Sequence, residues 1–186
     1  MLNNMVTDRD NGDRAHWLEL HEKNFDDMTA SEQTEWLDGL KGAYKASDMN
    51  RVENAVDTLQ TYINGAVASL QTMAQSLGVA WDDLFDLDFE TLSLTIKDDW
   101  ADGDSITIAQ GKRYIDNIKA ICEAVGITYT GPEALASLTI VGANILEQLL
   151  IDVDDEATRQ VTEKENLITL ASEYVIYSDE IYGGEA

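Results

Sequence analysis

His16 and His21 are the only histidines in the chain, and their spacing of five suits no shared metal. A helix stacks residues three or four apart, so these two rings fall on different faces. The run His21-Glu22-Lys23-Asn24-Phe25 has phenylalanine where a zincin helix needs its second histidine. Asp98-Asp99-Trp100-Ala101-Asp102-Gly103-Asp104 gathers oxygen ligands around a glycine, as a calcium loop does. Trp100 fills the third loop position, however, and Ala109 stands where a bidentate glutamate is required, which excludes EF-hand geometry. Asp152-Val153-Asp154-Asp155-Glu156 reads as a solvated helix end. Among 36 acids, carboxylate pairs at any spacing arise by chance. No glycine-rich phosphate loop, nucleophile elbow or Cys–His arrangement accompanies them. Cys122, the single cysteine, sits in Ile118-x-x-Ile121-Cys122-x-x-Val125 on an apolar helical face. That position predicts a buried, inert thiol, and one cysteine allows no intrachain disulfide. No catalytic residue, metal ligand or cofactor is assigned, and the chain reads as a non-enzyme.

The elements behind these residues are mostly helical. Met49, Val52, Val56, Leu59, Ile63, Ala66, Leu70, Met73 and Leu77 alternate by three and four, which places them on one stripe of one helix. Thr58 to Trp81 carries no charged side chain, although 26% of the chain is Asp, Glu, Lys or Arg. An exposed helix in such a chain should carry ions, so this one is expected to be covered on more than one face. With Met49 as heptad position a, the flanking e and g positions carry no paired charges, and beyond Glu53 they are small, apolar or neutral. A bundle therefore suits it better than a two-stranded coiled coil, although packing within the subunit and between subunits can coexist.

The predicted fold is mainly α, a helical bundle built on a long helix at about 47–77, with a short strand near 91–97 and an extended C-terminal arm. Ser47 or Asp48 should cap the long helix and Gly78 should end it. Ser31 should cap a shorter helix through Trp36, Leu37 and Leu40. Leu92, Leu94 and Ile96 alternate with polar residues, the basis for the strand. Thr107 should cap a helix from Ile108 to Val125 that Gly126 terminates, and Thr139 one running through Val141, Ile145, Leu149 and Val153. Residues 1–12 look like a loose arm, and 79–90 like a loop or a docking segment for a basic partner. The expected organisation is 1–35 as N-terminal arm and short helix, 36–165 as helical core, and 166–186 as C-terminal arm.

Bulk charge narrows the partners. Formal net charge is −24, from 36 acidic and 12 basic residues. Such a surface repels phosphate and anionic lipid, so no direct nucleic-acid binding is expected. The same charge can attract a basic partner or keep a concentrated protein soluble. The N-terminus lacks the basic start and apolar run of a signal peptide, so synthesis in a cytoplasm is expected. Polar residues such as Gln60, Asn64 and Gln71 within the uncharged stretch argue against a membrane span.

Several separated motifs carry a resemblance. Leu40-Lys41-Gly42-Ala43-Tyr44-Lys45-Ala46-Ser47-Asp48-Met49-Asn50-Arg51-Val52 opens the long helix. Downstream stand Lys97-Asp98-Asp99-Trp100, then Arg113-Tyr114-Ile115-Asp116-Asn117-Ile118, then Gly142-Ala143-Asn144-Ile145-Leu146-Glu147, and finally Tyr177-Ser178-Asp179-Glu180-Ile181-Tyr182-Gly183-Gly184-Glu185. In this order they resemble a family of small structural proteins encoded among the tail genes of phages and prophages of Gram-positive, particularly clostridial, bacteria. Asp179 replaces the glycine usual in the tail motif. The resemblance spans roughly 36–186 and implies a virion component at the tail tip, baseplate or fibre attachment, made in the bacterial host cytoplasm, with no catalytic residues.

The expected function is thus subunit packing in a virion, with the chain itself, as a homo-oligomer, and other virion proteins as partners. Val52, Val56, Leu59, Ile63, Ala66, Leu70 and Met73 are the candidate packing residues. Tyr177, Ile181 and Tyr182 are the candidate contacts of the arm. The alternatives are an acidic DNA mimic that inhibits a host nucleic-acid-binding protein, and a capsid or neck position for the same structural role.

Overall fold

The computed structural model describes residues 2, 4–80 and 91–182, with side chains as far as 173 apart from that of 38. The protein is mainly helical, and the described helices are α1 (Asn11–His21), α2 (Ala30–Asp38), α3 (Ala46–Ser76), α4 (Ile108–Ala124) and α5 (Ile140–Tyr182). Short 3-10 turns lie at Phe25–Asp27 and Leu135–Ser137. Local chemistry sets most ends. Thr107 accepts from the Gln110 amide at 3.2 Å while its own amide donates to Gln110 Oε1 at 2.9 Å, a reciprocal capping box. Thr139 Oγ1 accepts from the Gly142 amide at 3.0 Å. Gly78 and Gly126 take φ of 68° and 77° just past α3 and α4, where a side chain would be strained.

Two expected caps differ. At α2, Thr29 rather than Ser31 forms the box, reciprocally with Glu32. At α3 the helix begins at Ala46, before Ser47, and Asp48 accepts from the Lys45 amide at 2.9 Å from inside the first turn. Both starts moved because a carboxylate three residues inside the helix reaches back to the preceding amide.

The three long helices run parallel. Near one end Arg51 of α3 meets Glu147 of α5; near the other, Leu70 and Ala74 pack with Ile168. The sequence offset between partners stays almost constant, which only parallel helices allow. Helix α4 runs the same way, since Arg113 pairs with Glu53 and the Val125 carbonyl accepts from Gln160. Parallel neighbours cannot be joined by tight turns, so the chain must return after α3 and after α4. Residues 91–100 of the first return are extended, as is much of the second. The second runs back along α4, from Tyr129 under Lys119 to Leu135 beside Gly111.

The first return, 91–100, corrects the expected strand. Leu92, Leu94 and Ile96 do turn towards the core while Thr91, Ser93 and Thr95 are exposed. Yet no β ladder forms among the described residues, because what lies alongside is a helix whose own amides are already bonded. Side chains of α3 substitute for a partner strand. Asn50 pairs with both the amide (2.8 Å) and carbonyl (2.9 Å) of Trp100, and Asn64 does the same for Leu92 at 2.9 Å each. Between them Gln60 accepts from the Leu94 amide and Glu53 from that of Lys97. From α4, Asn117 and Arg113 donate to the Thr95 carbonyl. The dimensions agree: fourteen helical residues span about 21 Å, within the reach of eight extended ones. This ladder explains part of the uncharged stretch, since a carboxamide offers both donor and acceptor to one peptide unit and a charged group does not. Asn64→Ala leaves both polar groups of Leu92 without their partners, and is expected to cost about 1–3 kcal/mol in urea unfolding. Gln71→Ala, exposed on the same helix, should stay within about 0.5 kcal/mol.

The expected extended C-terminal arm is also corrected. Helix α5 continues through Tyr182 for 43 residues. Its interior holds neither glycine nor proline between Ala143 and Tyr182, so nothing in the backbone breaks it before Gly183. No described helix is long and apolar enough to cross a membrane.

Candidate functional site

The predicted stripe lies inside the chain's own core. Val52, Val56, Leu59, Ile63 and Leu70 are buried, with Ala66 and Met73 partly so. Opposite them pack Tyr114, Ile115, Ile118, Ile121 and Cys122 of α4, and Leu146, Leu150 and Val153 of α5. Tyr177, Ile181 and Tyr182 belong to the helical backbone of α5, but their side chains lie outside the described residues, as does most of the expected docking segment 79–90.

Sequence reasoning missed the polar centre of the molecule. Leu2 and residues 4–10 are not a loose arm but a strap across α3 and α5. Leu2, Val6 and Arg9 donate their amides to Asp154 (2.8 Å), Glu147 (2.5 Å) and Asn144 (3.2 Å), and the Asn144 amide returns a bond to the Arg9 carbonyl at 2.9 Å. The Arg9 guanidinium enters the bundle, with its side chain 3% exposed, and bonds Glu147 at 2.6 Å and Asp48 at 2.9 Å. Arg51 bonds the same two carboxylates, at 2.7 and 2.5 Å. Two cations and two anions thus close a neutral square, and Glu147 at its centre accepts from Arg9, Arg51 and the Val6 amide. A second buried carboxylate, Glu53, pairs with Arg113. Beside the square the Tyr44 and Tyr114 hydroxyls meet at 2.5 Å, and burial pushes both phenols above their usual pKa. A signal for these groups did exist. Glu53 and Glu147 occupy apolar-stripe positions, four residues after Met49 and Ala143, and a carboxylate there requires a cation.

The residues first suspected of chemistry have structural partners. His21 stacks on Trp17 at 4.6 Å and faces Trp36 at 6.0 Å, while His16 bonds Glu35 at 2.8 Å. These contacts lock α1 to α2. Gly42 permits that unit to sit close, since a Cβ there would lie 2.2 Å from the Asp13 carbonyl oxygen. In the acidic turn, Asp104 accepts from the Ala101 amide, and the Lys97 ammonium bonds Asp99 while lying 4.5 Å above the Trp100 ring. Among the described residues no group of three or more His, Cys, Asp or Glu is placed to hold a metal ion. Gly142 and Ala143 stand in the first turn of α5. Gly142 packs on its own approach loop, near Leu138 and Pro132, while Ala143 is buried. A cavity of about 420 Å³ opens beside the start of α5, lined by Arg9, Arg14, Lys41 and Tyr44. Two of its cations are committed, Arg9 to the square and Lys41 to Asp8 at 2.6 Å.

Burial, and secondarily the charge of Asp152, pushes the Cys122 thiol up to about 11. Alkylation of the native protein at neutral pH is therefore expected to proceed only through unfolding, and to become fast in denaturant. The folded state retains this proton while the unfolded thiol loses it, so stability should fall as pH rises from about 9 to about 11. Cys122→Ala should flatten that limb of the stability profile.

No family model, curated protein or solved structure matches the chain.

Proposed function

We propose that the protein is a structural subunit of a phage virion, in the tail or baseplate region or at a fibre attachment, and acts by packing rather than by catalysis. One observation carries the reading. The separated motifs behind the tail-protein resemblance converge in space: Asp48 and Arg51 of the first meet Glu147 of the fourth around Arg9. Asn50 clamps Trp100, and Tyr44 bonds Tyr114. Residues that recur together because they hold one architecture are expected to meet in this way. In an enzyme the equivalent polar residues would instead leave a nucleophile, base or cation facing an open cleft. Here Glu147 and Glu53 are sealed from solvent with their charges matched. The long α5 and the neutral flank of α3 suit a chain that other copies or neighbours cover.

Mass spectrometry of purified particles from a host carrying the gene, combined with the identity of adjacent genes, tests the reading. Stoichiometric presence in tails supports it. Absence from particles, together with salt-sensitive capture of a basic host protein, would replace it with the charge-mimic alternative.

A further inference from the structure

Helix α5 carries two apolar lines, and α3 covers only one. Ile168, with Ala171 beside it, packs against Leu70 and Ala74. The second line starts at Leu167 and Leu170, 47% and 62% exposed, where this charged chain would ordinarily place ions. From there the helical register continues through positions 174, 177 and 181, occupied by Tyr, Tyr and Ile. The spacing is three, four, three, four, a heptad seam of a and d positions. This line lies roughly a third of a turn from the α3-facing one. Its last part also extends beyond α3, which ends at Ser76 beside the Ala171 region, while α5 goes on for about ten residues, or about 15 Å.

We infer that this second line is a parallel helix–helix contact between two copies of the chain. The inference rests on the assembly role proposed above and names its surface. Three features of the sequence select a second copy. A heptad line is complementary to itself, because a and d residues of one helix enter the holes formed by the same residues of another. Charge then fixes the direction. With Leu167 at position a, the g positions are Glu173 and Glu180 and the e positions are Ala171 and Ser178. Parallel helices set g against e, glutamate against a small neutral residue; antiparallel helices set g against g, glutamate against glutamate. The segment 81–90 is a poor occupant by composition, since it holds five acids and no base and would meet the acidic flanks of α5. Two heptads are short for an isolated coiled coil, but here the helix is held in advance by α3, so association need not order it.

Sedimentation of the full-length protein tests the contact. Wild type should form dimers that grow with concentration. Leu170→Glu places a charge in the seam while leaving the α3-facing line intact; it should weaken dimerisation by at least about thirtyfold with unchanged far-ultraviolet circular dichroism. Under mild oxidation Leu170→Cys should give a disulfide-linked dimer and Thr169→Cys should not, the native Cys122 being buried. A monomer at every concentration overturns the contact. So does an oligomer indifferent to Leu170→Glu, and so does cross-linking of position 170 to 178 instead of to itself. Each of these leaves the virion role to its own test, presence in purified particles.

Discussion

Glu147→Ala is expected to destabilise the protein by about 3–5 kcal/mol, seen as a lower urea midpoint with unchanged slope. Net stability of a domain is only about 5–15 kcal/mol, so this change removes a large share of it. Glu147 is fully buried and the Arg9 side chain almost so. Alanine would leave Arg9 and Arg51 facing Asp48 alone, one unmatched positive charge out of reach of water. It would also remove the acceptor of the Val6 amide, so amides of the strap should exchange with solvent faster than those of α4. The square itself is a weak source of stability, because desolvation offsets much of the attraction. Removing Arg9 and Glu147 together leaves Arg51 and Asp48 balanced, so the pair Arg9→Met and Glu147→Met should cost clearly less than the sum of its single changes. A coupling below about 0.5 kcal/mol, or a cost for Glu147→Ala below about 1 kcal/mol, would show the square to be solvated.

Trp100→Ala comes next, at about 3–5 kcal/mol. The indole is 5% exposed and belongs to the main core. Its backbone is held from both sides by Asn50, so the surroundings have little freedom to collapse into the space left behind. Loss of this anchor should also loosen the rest of the return segment, read as faster exchange at the Leu92 and Leu94 amides. Trp100→Phe separates packing from polarity. Phenylalanine keeps a buried ring and removes an indole N–H that has no hydrogen-bond partner among the described residues, so it should cost less than half as much as alanine. Equal costs for the two substitutions would mean that the cavity is not what matters.

Much of the helical layout was legible in the sequence, because it depends on neighbours in the chain. Thr107, Thr139, Gly78 and Gly126 mark helix ends through bonds or backbone angles spanning a few residues. The stripe from Val52 to Leu70 follows from periodicity alone. The continuation of α5 through Tyr182 was legible too, in its unbroken run without glycine or proline. The segment 91–97 shows where such reading stops. Alternation correctly placed Leu92, Leu94 and Ile96 inward, but it carries no information about what lies alongside, and the neighbour proved to be a helix offering side-chain amides.

Composition and periodicity by themselves determined an acidic, mainly helical chain with one dominant buried stripe and an inert cysteine. Only the tertiary structure decided that the long helices run parallel, that the strap and its Arg9 complete the core, and that the uncharged stretch of α3 partly serves the return segment. The physical reason is distance along the chain. Arg9 meets a carboxylate 138 residues away and Asn50 a peptide 50 residues away. Which of many chemically equivalent partners is chosen depends on how the helices pack.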